Sequence, residues 1–167
     1  MSFVTRGFTG RGRERDDRLP PGQTLVGDFP VLSAGPTPDI DTADWEFTIR
    51  TETGAHSWNW DEFMALKIED VETDYEYVMA HSYGGYTTNV PLDDLLDGKA
   101  WIAFDFDGEP LDPEHGGPAR LLVPHLYFWK SAKWVRGLEM MEQDEPGFWE
   151  QNGYHLRGDP WKEERYW

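Results

Sequence analysis

The residues best suited to chemistry in this sequence form a cationic and aromatic segment, PHLYFWKSAKWVRG, at residues 124–137. It places Lys130, Lys133 and Arg136 among tyrosine, phenylalanine and tryptophan side chains, in a chain whose formal net charge is -17 at pH 7. Arginine offers a planar fork of donors to a phosphate, and lysine offers a point charge. The segment is therefore a candidate site for an anionic ligand.

Glycines and a further arginine extend this candidate site toward the N-terminus. A Gly-Gly-Pro run at 116–118 precedes Arg120, and glycines let a backbone approach a ligand closely. Backbone N–H groups in such turns can complete a phosphate cradle. We therefore interpret residues 108–136 as an anion clamp with a phosphorylated cofactor as its ligand. The same pattern also fits a core strand whose lysine stems run past tryptophans to reach water.

Three other kinds of functional site are not supported by the residue spacing. Gly108 is the fourth residue of DFDGEPLDPE, whereas a calcium loop needs its glycine at the sixth position, so residues 105–114 are interpreted as a solvated turn. Ser82 follows His81, but the G-x-S-x-G turn that exposes a hydrolase nucleophile is missing. The histidines show no paired helical spacing for zinc.

Composition limits the classes of protein that remain. A chain of 167 residues that is 38% hydrophobic is long enough for one hydrophobic core. We expect a mobile basic arm over residues 1–18 and a single domain over residues 19–167. The sequence contains no cysteine, which excludes disulfides, thiolate metal sites and cysteine nucleophiles.

The charge balance and the hydropathy pattern indicate where the protein works. Acidic residues number 32 against 15 basic ones, and a nucleic acid would be repelled by such a surface. An acidic surface with few lysines fits a halophile-like, salt-rich habitat or a face for a basic partner. No apolar run is long enough for a signal peptide or a membrane span, so we expect a cytoplasmic protein with no membrane contact.

Hydrophobic patterning predicts an α+β domain with long ordered loops and a largely antiparallel or mixed sheet. Strands are predicted at 45–51, 75–82, 100–108 and 117–129, the last stopping at Pro124. A short helix is predicted within 57–67, starting at Ser57 or Asn59, and a helical turn at 91–98. Residues 19–39 are predicted to be an irregular ordered loop, because proline and glycine punctuate them.

Long motifs along most of the chain resemble the sulfite-oxidase-like molybdopterin-binding oxidoreductases of bacteria and archaea. The motifs are RERDDRLPPGQ, DFPVLSAGPTP, HSYGGYTTNVPLDDLL, GEPL, EHGGPARLLVPHLYFWKSAKWVRGLE and PGFWEQNGYHLRGDPWKEERY. This resemblance implies a mixed β-sheet domain of the sulfite-oxidase molybdopterin-binding type. It also implies molybdopterin as cofactor, a small-molecule substrate and an electron-transfer partner.

The resemblance implies a set of cofactor-binding residues. The family binds the pterin and its phosphate with an N-G-x-P-x-R stretch, a following V-P and a K-S-x-K or S-V-K turn. Carried over to matching positions, the set is His115, Arg120, Ser131, Ala132, Lys133, Ser82, Pro30 and Val31. His115 stands where exported relatives have asparagine, and either side chain can hydrogen-bond a pterin edge.

The resemblance also exposes a missing segment. Family members carry a molybdenum-ligating cysteine between the W-x-x-F-x-x-L helix and the HSDGGYTTN strand, but here only KIEDVETDYEYVMA joins Leu66 to His81. The sequence therefore supplies no metal ligand of this type and assigns no catalytic residue.

Two functions stay open. One is oxygen-atom transfer on a small sulfur compound, as in a molybdopterin-dependent oxidoreductase. The other is a non-catalytic pterin-binding or interaction remnant without the metal thiolate.

Overall fold

The computed structural model describes residues 18–67 and 73–167, and a five-stranded β-sheet is its largest element. The described strands are β1 (Glu46–Thr51), β2 (Gly54–Asn59), β3 (Tyr77–Ser82), β4 (Thr87–Pro91), β5 (Trp101–Ala103), β6 (Asp105–Phe106), β7 (Glu109–Pro110), β8 (Arg120–Leu122) and β9 (Val135–Met141). The large sheet has the order β2-β1-β9-β3-β4, while β5 pairs with β8 and β6 with β7. The predicted basic arm lies outside the described residues except for Arg18.

Strand β9 lies in the middle of the large sheet and makes that sheet mixed. It runs parallel to β1 and antiparallel to β3. Gly137 allows the close parallel approach, because a Cβ atom at this position would lie 2.5 Å from the carbonyl oxygen of Thr48. The predicted fold class, an α+β domain with a mixed sheet, is confirmed.

The described chain contains one α-helix, α1 (Trp60–Met64). Its N-terminus is fixed by a capping box, in which Asn59 Oδ1 accepts from the Glu62 N–H and Glu62 Oε2 accepts from the Asn59 N–H, each at 3.0 Å. The predicted helix is therefore confirmed with Asn59 as its cap. Ser57, the other predicted starting residue, instead belongs to β2.

Short 3₁₀ helices supply the remaining helical structure of the described chain. They are Leu92–Asp94, Pro113–His115, Phe128–Lys130, Glu150–Asn152 and Pro160–Lys162. The first confirms the helical turn predicted at 91–98. No helix in the described residues has the length and apolarity to cross a membrane.

The hydrophobic core lies between one face of the large sheet and the β5–β8 pair. Its buried members are Trp45, Phe47, Ala80, Val90, Ala119, Leu121, Val123, Leu126, Ala132 and Val135. Trp45 precedes β1, and its indole Nε1 donates to the Val135 carbonyl at 3.0 Å. Each large side chain buried in this way stabilises the fold by about 1.5–3 kcal/mol. The core therefore holds β9, and the loop that precedes it, against β1.

Two predicted strands are shorter than expected. The strand predicted at 100–108 divides at Phe104 into β5 and β6, and β6 turns back into β7 at Asp107–Gly108, both with positive φ. The acidic stretch 105–114 is thus partly a tight hairpin. Within 117–129, only Arg120–Leu122 forms a strand, because the prolines on either side lack the N–H group that a ladder needs.

Candidate functional site

A cavity of about 640 Å³ opens beside the loop that joins β8 to β9. Cavities of this size hold small ligands and cofactors. Its lining residues are Gln23, Leu32, Ser33, Ala34, Gly35, Pro36, Tyr83, Gly84, Gly85, Tyr86, Tyr127, Phe128, Trp129, Ser131, Lys133, Trp134, Phe148, Trp149, Tyr154 and Arg165. The cavity is therefore bounded by the 19–39 loop, the β3–β4 turn, the β8–β9 loop and the C-terminal segment, residues 144–167.

The charged lining of this cavity is entirely positive. Among the described residues, Lys133 and Arg165 line it and no aspartate or glutamate does. The chain as a whole has 32 acidic and 15 basic residues, so an acid-free cavity departs sharply from its average surface. Such a lining attracts an anion by Coulomb interaction in a partly desolvated space.

Lys133 presents its ammonium at the edge of the cavity. Nζ donates to the Glu114 carbonyl at 2.6 Å and lies 5.3 Å from the centre of the Trp134 ring. Burial, reinforced by the nearby Arg120 charge, lowers the pKa of Lys133 below its ordinary value. An ammonium carries three donors, and Glu114 is the only acceptor it contacts in the described chain. Lys133 can therefore still donate to a ligand.

Arg120 acts on the backbone around the cavity. It is 2% exposed, and its Nη1 and Nη2 donate to the carbonyls of His115 and Ser131 at 2.9 and 3.0 Å. The Phe128 ring covers the guanidinium at 4.7 Å. Burial lowers the pKa of Arg120 to about 10. This arginine joins the His115 loop to the loop that carries Lys133, and it does not line the cavity.

Ser131 and Ala132 are fixed by contacts with β8 and the residue after it. Ser131 Oγ accepts from the Val123 N–H at 2.9 Å, and the Ala132 carbonyl accepts from the Leu121 N–H at 2.9 Å. Ser131 lines the cavity, whereas Ala132 is buried in the core. The turn that carries Lys133 is thus held rigidly in place.

Three predicted cofactor-binding residues carry buried polar atoms without a partner. In residues 18–67 and 73–167 these atoms are Ser82 Oγ, His115 Nδ1 and Arg120 Nε, and Glu150 Oε2 is the other. Leaving such a group unsatisfied costs about 1–3 kcal/mol, and native proteins rarely do so. None of these residues lines the cavity, so their unpartnered atoms belong to the structure that supports it.

The 19–39 loop covers the His115 side of this region. The Phe29 ring stacks on the His115 ring with centroids 3.8 Å apart and an interplanar angle of 5°. Pro30 and Val31 follow Phe29, but they are exposed and do not line the cavity. The next residues, Leu32 to Pro36, line it instead.

The structure therefore separates the predicted site residues into groups. Ser131 and Lys133 line the cavity, and Ser82, His115, Arg120 and Ala132 do not. Ser82 immediately precedes the lining residue Tyr83, and Arg120 contacts Ser131 directly. The assignment of all eight residues to cofactor binding remains a prediction.

The cations of the 124–137 segment have three different environments. Lys133 faces the cavity, Arg136 is exposed and lies 4.9 Å from the Tyr83 ring, and Lys130 is buried against Glu150. Lys130 therefore fits neither the predicted anion clamp nor the alternative of a lysine stem that reaches water. Its side chain has no exposed surface.

Sequence reasoning missed the contribution of the C-terminal segment to the cavity. Phe148, Trp149, Tyr154 and Arg165 all line it. The aromatic composition of residues 144–167 was the available signal. Their position depends on long-range contacts, such as the Asn89 side chain donating to the Leu156 carbonyl at 3.2 Å, which spacing alone does not reveal.

Comparison with known proteins gives a consistent result. Residues 66–149 match the family model described as the oxidoreductase molybdopterin binding domain. The chain is 37% identical over 194 residues to the uncharacterized oxidoreductase YuiH of Bacillus subtilis strain 168, covering 95% of this chain and 98% of that protein. It is 31% identical over 77 residues to the mitochondrial sulfite oxidase of Drosophila melanogaster, covering 45% of this chain and 13% of that enzyme.

A solved structure shows the same fold. The sulfane dehydrogenase SoxCD from Paracoccus pantotrophus superposes with a TM-score of 0.60 at 16% identity, over 75% of this chain and 46% of that one. The chain thus spans less than half of the SoxCD chain, but nearly all of the Bacillus protein. The match to the Bacillus protein extends over 194 residues, more than the 167 of this chain. That relative therefore has residues without a counterpart here.

Proposed function

The chain belongs to the oxidoreductase molybdopterin binding domain family, of the sulfite oxidase type, and we propose that it uses molybdopterin to transfer an oxygen atom to or from a small sulfur compound. The observation that carries the proposal is the positive lining of the cavity in a chain of formal charge -17. A cofactor with a phosphate group is the anion that this lining would bind.

Several residues of the chain would hold the cofactor together. Lys133 supplies a charged donor, and the Ser131 hydroxyl, whose oxygen accepts from the Val123 N–H, has its own hydrogen left to donate to a phosphate oxygen. Arg120 holds the Ser131 turn through its hydrogen bond to the Ser131 carbonyl, and Ser82 immediately precedes the lining residue Tyr83. When bound, the cofactor supplies the redox chemistry, while the protein supplies binding, orientation and electrostatics.

Aromatic side chains limit the access of water to this site. The Tyr127 and Trp129 rings stack with centroids 4.8 Å apart and an interplanar angle of 12°, and both line the cavity with Trp134. A low-polarity wall strengthens every charge interaction inside it. These rings therefore favour tight retention of an anion at Lys133.

A second function, pterin binding without turnover, is supported by the complete absence of cysteine from the sequence. The resemblance to the family implies a thiolate on molybdenum, which is a soft ligand that histidine and carboxylate replace poorly. In the described residues, no group of three histidine, aspartate or glutamate side chains could hold a metal ion. The cofactor itself would then have to supply the metal ligands.

Molybdenum and pterin measured on one purified sample separate these two functions. Elemental analysis gives molybdenum, and fluorescence after oxidation gives pterin. Stoichiometric amounts of both, together with molybdenum-dependent oxidation of sulfite or reduction of a sulfoxide, would support the oxidoreductase. Pterin without molybdenum would support the non-catalytic function. Absence of both from protein made in a host that synthesises the cofactor would contradict each of them.

A further inference from the structure

We propose that Arg165 forms a second anion subsite in the cavity, distinct from the subsite at Ser131 and Lys133, and that it binds the oxyanion group of a small substrate. The identification of this anion as a substrate depends on the function proposed above. The existence of the subsite depends only on the contacts of Arg165.

The Arg165 guanidinium lines the cavity without a protein acceptor. It lies 5.2 Å from the centre of the Tyr127 ring, and in the described residues it forms no ion pair or side-chain hydrogen bond. A guanidinium carries five N–H donors in a planar fork. An aromatic ring occupies one face of such a group and leaves the donors at its edge available.

The surrounding structure holds Arg165 in place. Its N–H donates to the Glu163 carbonyl at 2.8 Å, and its carbonyl accepts from the His155 N–H at 3.2 Å. Tyr127, beneath the guanidinium, donates its own N–H to the Gly158 carbonyl at 2.8 Å. These bonds fix the backbone of Arg165, while its exposed side chain rests on the Tyr127 ring.

Glu164, the acidic residue next to Arg165 in sequence, has other partners. Glu164 Oε2 accepts from the Asp159 N–H at 3.1 Å and lies 3.5 Å from His155 Nδ1. Arg157 shows the contrasting case, because its Nε pairs with Asp94 Oδ2 at 3.0 Å. Arg165 therefore faces the cavity without a carboxylate partner, whereas Arg157 has one.

The two cations come from different parts of the fold and face one cavity. Lys133 belongs to the turn before β9, while Arg165 belongs to the C-terminal segment and rests on Tyr127. Two separate cations suit two separate anionic groups. If the cofactor phosphate occupies the Lys133 side, the Arg165 fork remains for a small oxyanion such as sulfite, whose oxygens match its spacing.

Sulfate titration of the purified 167-residue chain tests the subsite directly. Total ionic strength is held constant with potassium chloride, and binding is followed by the fluorescence of the tryptophans that line the cavity. Arg165→Gln should raise the dissociation constant for sulfate roughly tenfold or more, since charged hydrogen bonds of this kind contribute that much. Arg165→Lys should give an intermediate value. Arg50→Gln, which removes the same charge from an exposed position in β1, should leave sulfate binding unchanged.

Pterin content of the same samples identifies the anion that Arg165 serves. Arg165→Gln should keep its pterin, whereas Lys133→Gln should lose it. Equal sulfate binding by Arg165→Gln and the unmodified chain would overturn the subsite. Loss of pterin from Arg165→Gln, to the extent seen for Lys133→Gln, would overturn the substrate assignment and place the cofactor phosphate at Arg165. A chain without pterin that still binds sulfate through Arg165 would contradict the proposed function alone.

Discussion

Lys130 and Glu150 form an ion pair in which neither side chain has exposed surface, with Nζ 2.5 Å from Oε1. Trp129 Nε1 donates to the same glutamate oxygen at 3.0 Å, and Lys130 donates to Asn89 Oδ1 at 2.9 Å. Burial lowers the pKa of Lys130, although the Glu150 charge opposes this shift. The pair therefore joins β4, the cavity wall at Trp129 and the C-terminal segment.

Removing one member of this pair should destabilise the protein strongly. Lys130→Met leaves Glu150 as an unpaired buried charge, which costs about 3–5 kcal/mol. The double variant Lys130→Met/Glu150→Leu should recover most of that loss, because it leaves no charge to solvate. Urea unfolding at neutral pH measures both values. A single variant within about 0.5 kcal/mol of the unmodified chain, the range of an ordinary surface substitution, would contradict this assignment.

Asp94 should make folding stability depend on pH in the acid range. Burial raises its pKa, but hydrogen bonds from Arg157 and His125 outweigh that effect and bring the pKa below its ordinary value. The stabilisation is therefore complete above the unfolded-state pKa of about 4, and is lost as pH falls through the lower folded-state value. Asp94→Asn should lower the free energy of unfolding at pH 7 by about 1–2 kcal/mol.

The difference between Asp94→Asn and the unmodified chain should shrink as pH falls from about 4 through the lower folded-state pKa, where the native carboxylate becomes protonated. Asp93→Asn, at the exposed neighbouring position, serves as the control and should have little effect at any pH. Urea unfolding at a series of pH values measures both variants. A difference for Asp94→Asn that stays constant down to pH 2 would show that its cause is not the charge.

Arg120 and Lys133 should affect cofactor retention in different ways. Lys133→Ala should reduce pterin content with little change in melting temperature, because its ammonium makes a single backbone contact. Arg120→Lys should reduce pterin content and should also lower the free energy of unfolding by about 2 kcal/mol. The reason is that it breaks the two hydrogen bonds to the His115 and Ser131 carbonyls. Normal pterin content in the double variant would refute the cofactor assignment of both residues.

The acidic surface should make stability depend on salt. A formal charge of -17 implies self-repulsion in dilute buffer, and the Debye length falls from about 30 Å at 0.01 M to about 3 Å at 1 M salt. Thermal unfolding in potassium chloride should therefore shift to higher temperature as the salt concentration rises. A melting temperature that stays flat over this range would argue against adaptation to salt.

Insertion of a family member's cysteine-bearing segment between Asp74 and Tyr75 should raise molybdenum content and turnover. The same insertion with that cysteine changed to serine should leave both at the level of the unmodified chain, because serine is a poor ligand for a soft metal site. Molybdenum analysis and sulfite oxidation measure the outcome. Equal gains from the cysteine and serine insertions would show that the thiolate is not what the chain lacks.

The sequence predicted those elements of the fold whose signals are local. β1 alternates in its side chains, and α1 begins at a residue that caps its own helix, so each shows in a short window. The central strand β9 was missed, because Arg136, Gly137 and Glu139 break any apolar alternation. Gly137 resembles a strand breaker in sequence, yet its missing side chain is what lets β1 approach.

The site was predictable where the residues themselves carry the pattern. Ser131 and Lys133 line the cavity as the clamp motif suggested, and Lys130, three residues before Lys133, does not. Lys130 is held away from the cavity by Glu150. Glu150 lies in the C-terminal segment, whose structure could not be predicted from local sequence patterns. Arg165 was missed for the same reason. Its role depends on the position of Tyr127, which no local pattern specifies.

The walls of the cavity come from residues 23–36, 83–86, 127–134 and 148–165, and this scatter has a consequence for cofactor binding. These four parts of the chain are far apart in sequence, and the parallel pairing of β1 with β9 likewise joins distant residues. The cofactor would therefore bind after these parts have folded together. Its binding energy then adds to the stability of the folded state by mass action, so the chain with cofactor should unfold at a higher temperature than the chain without it.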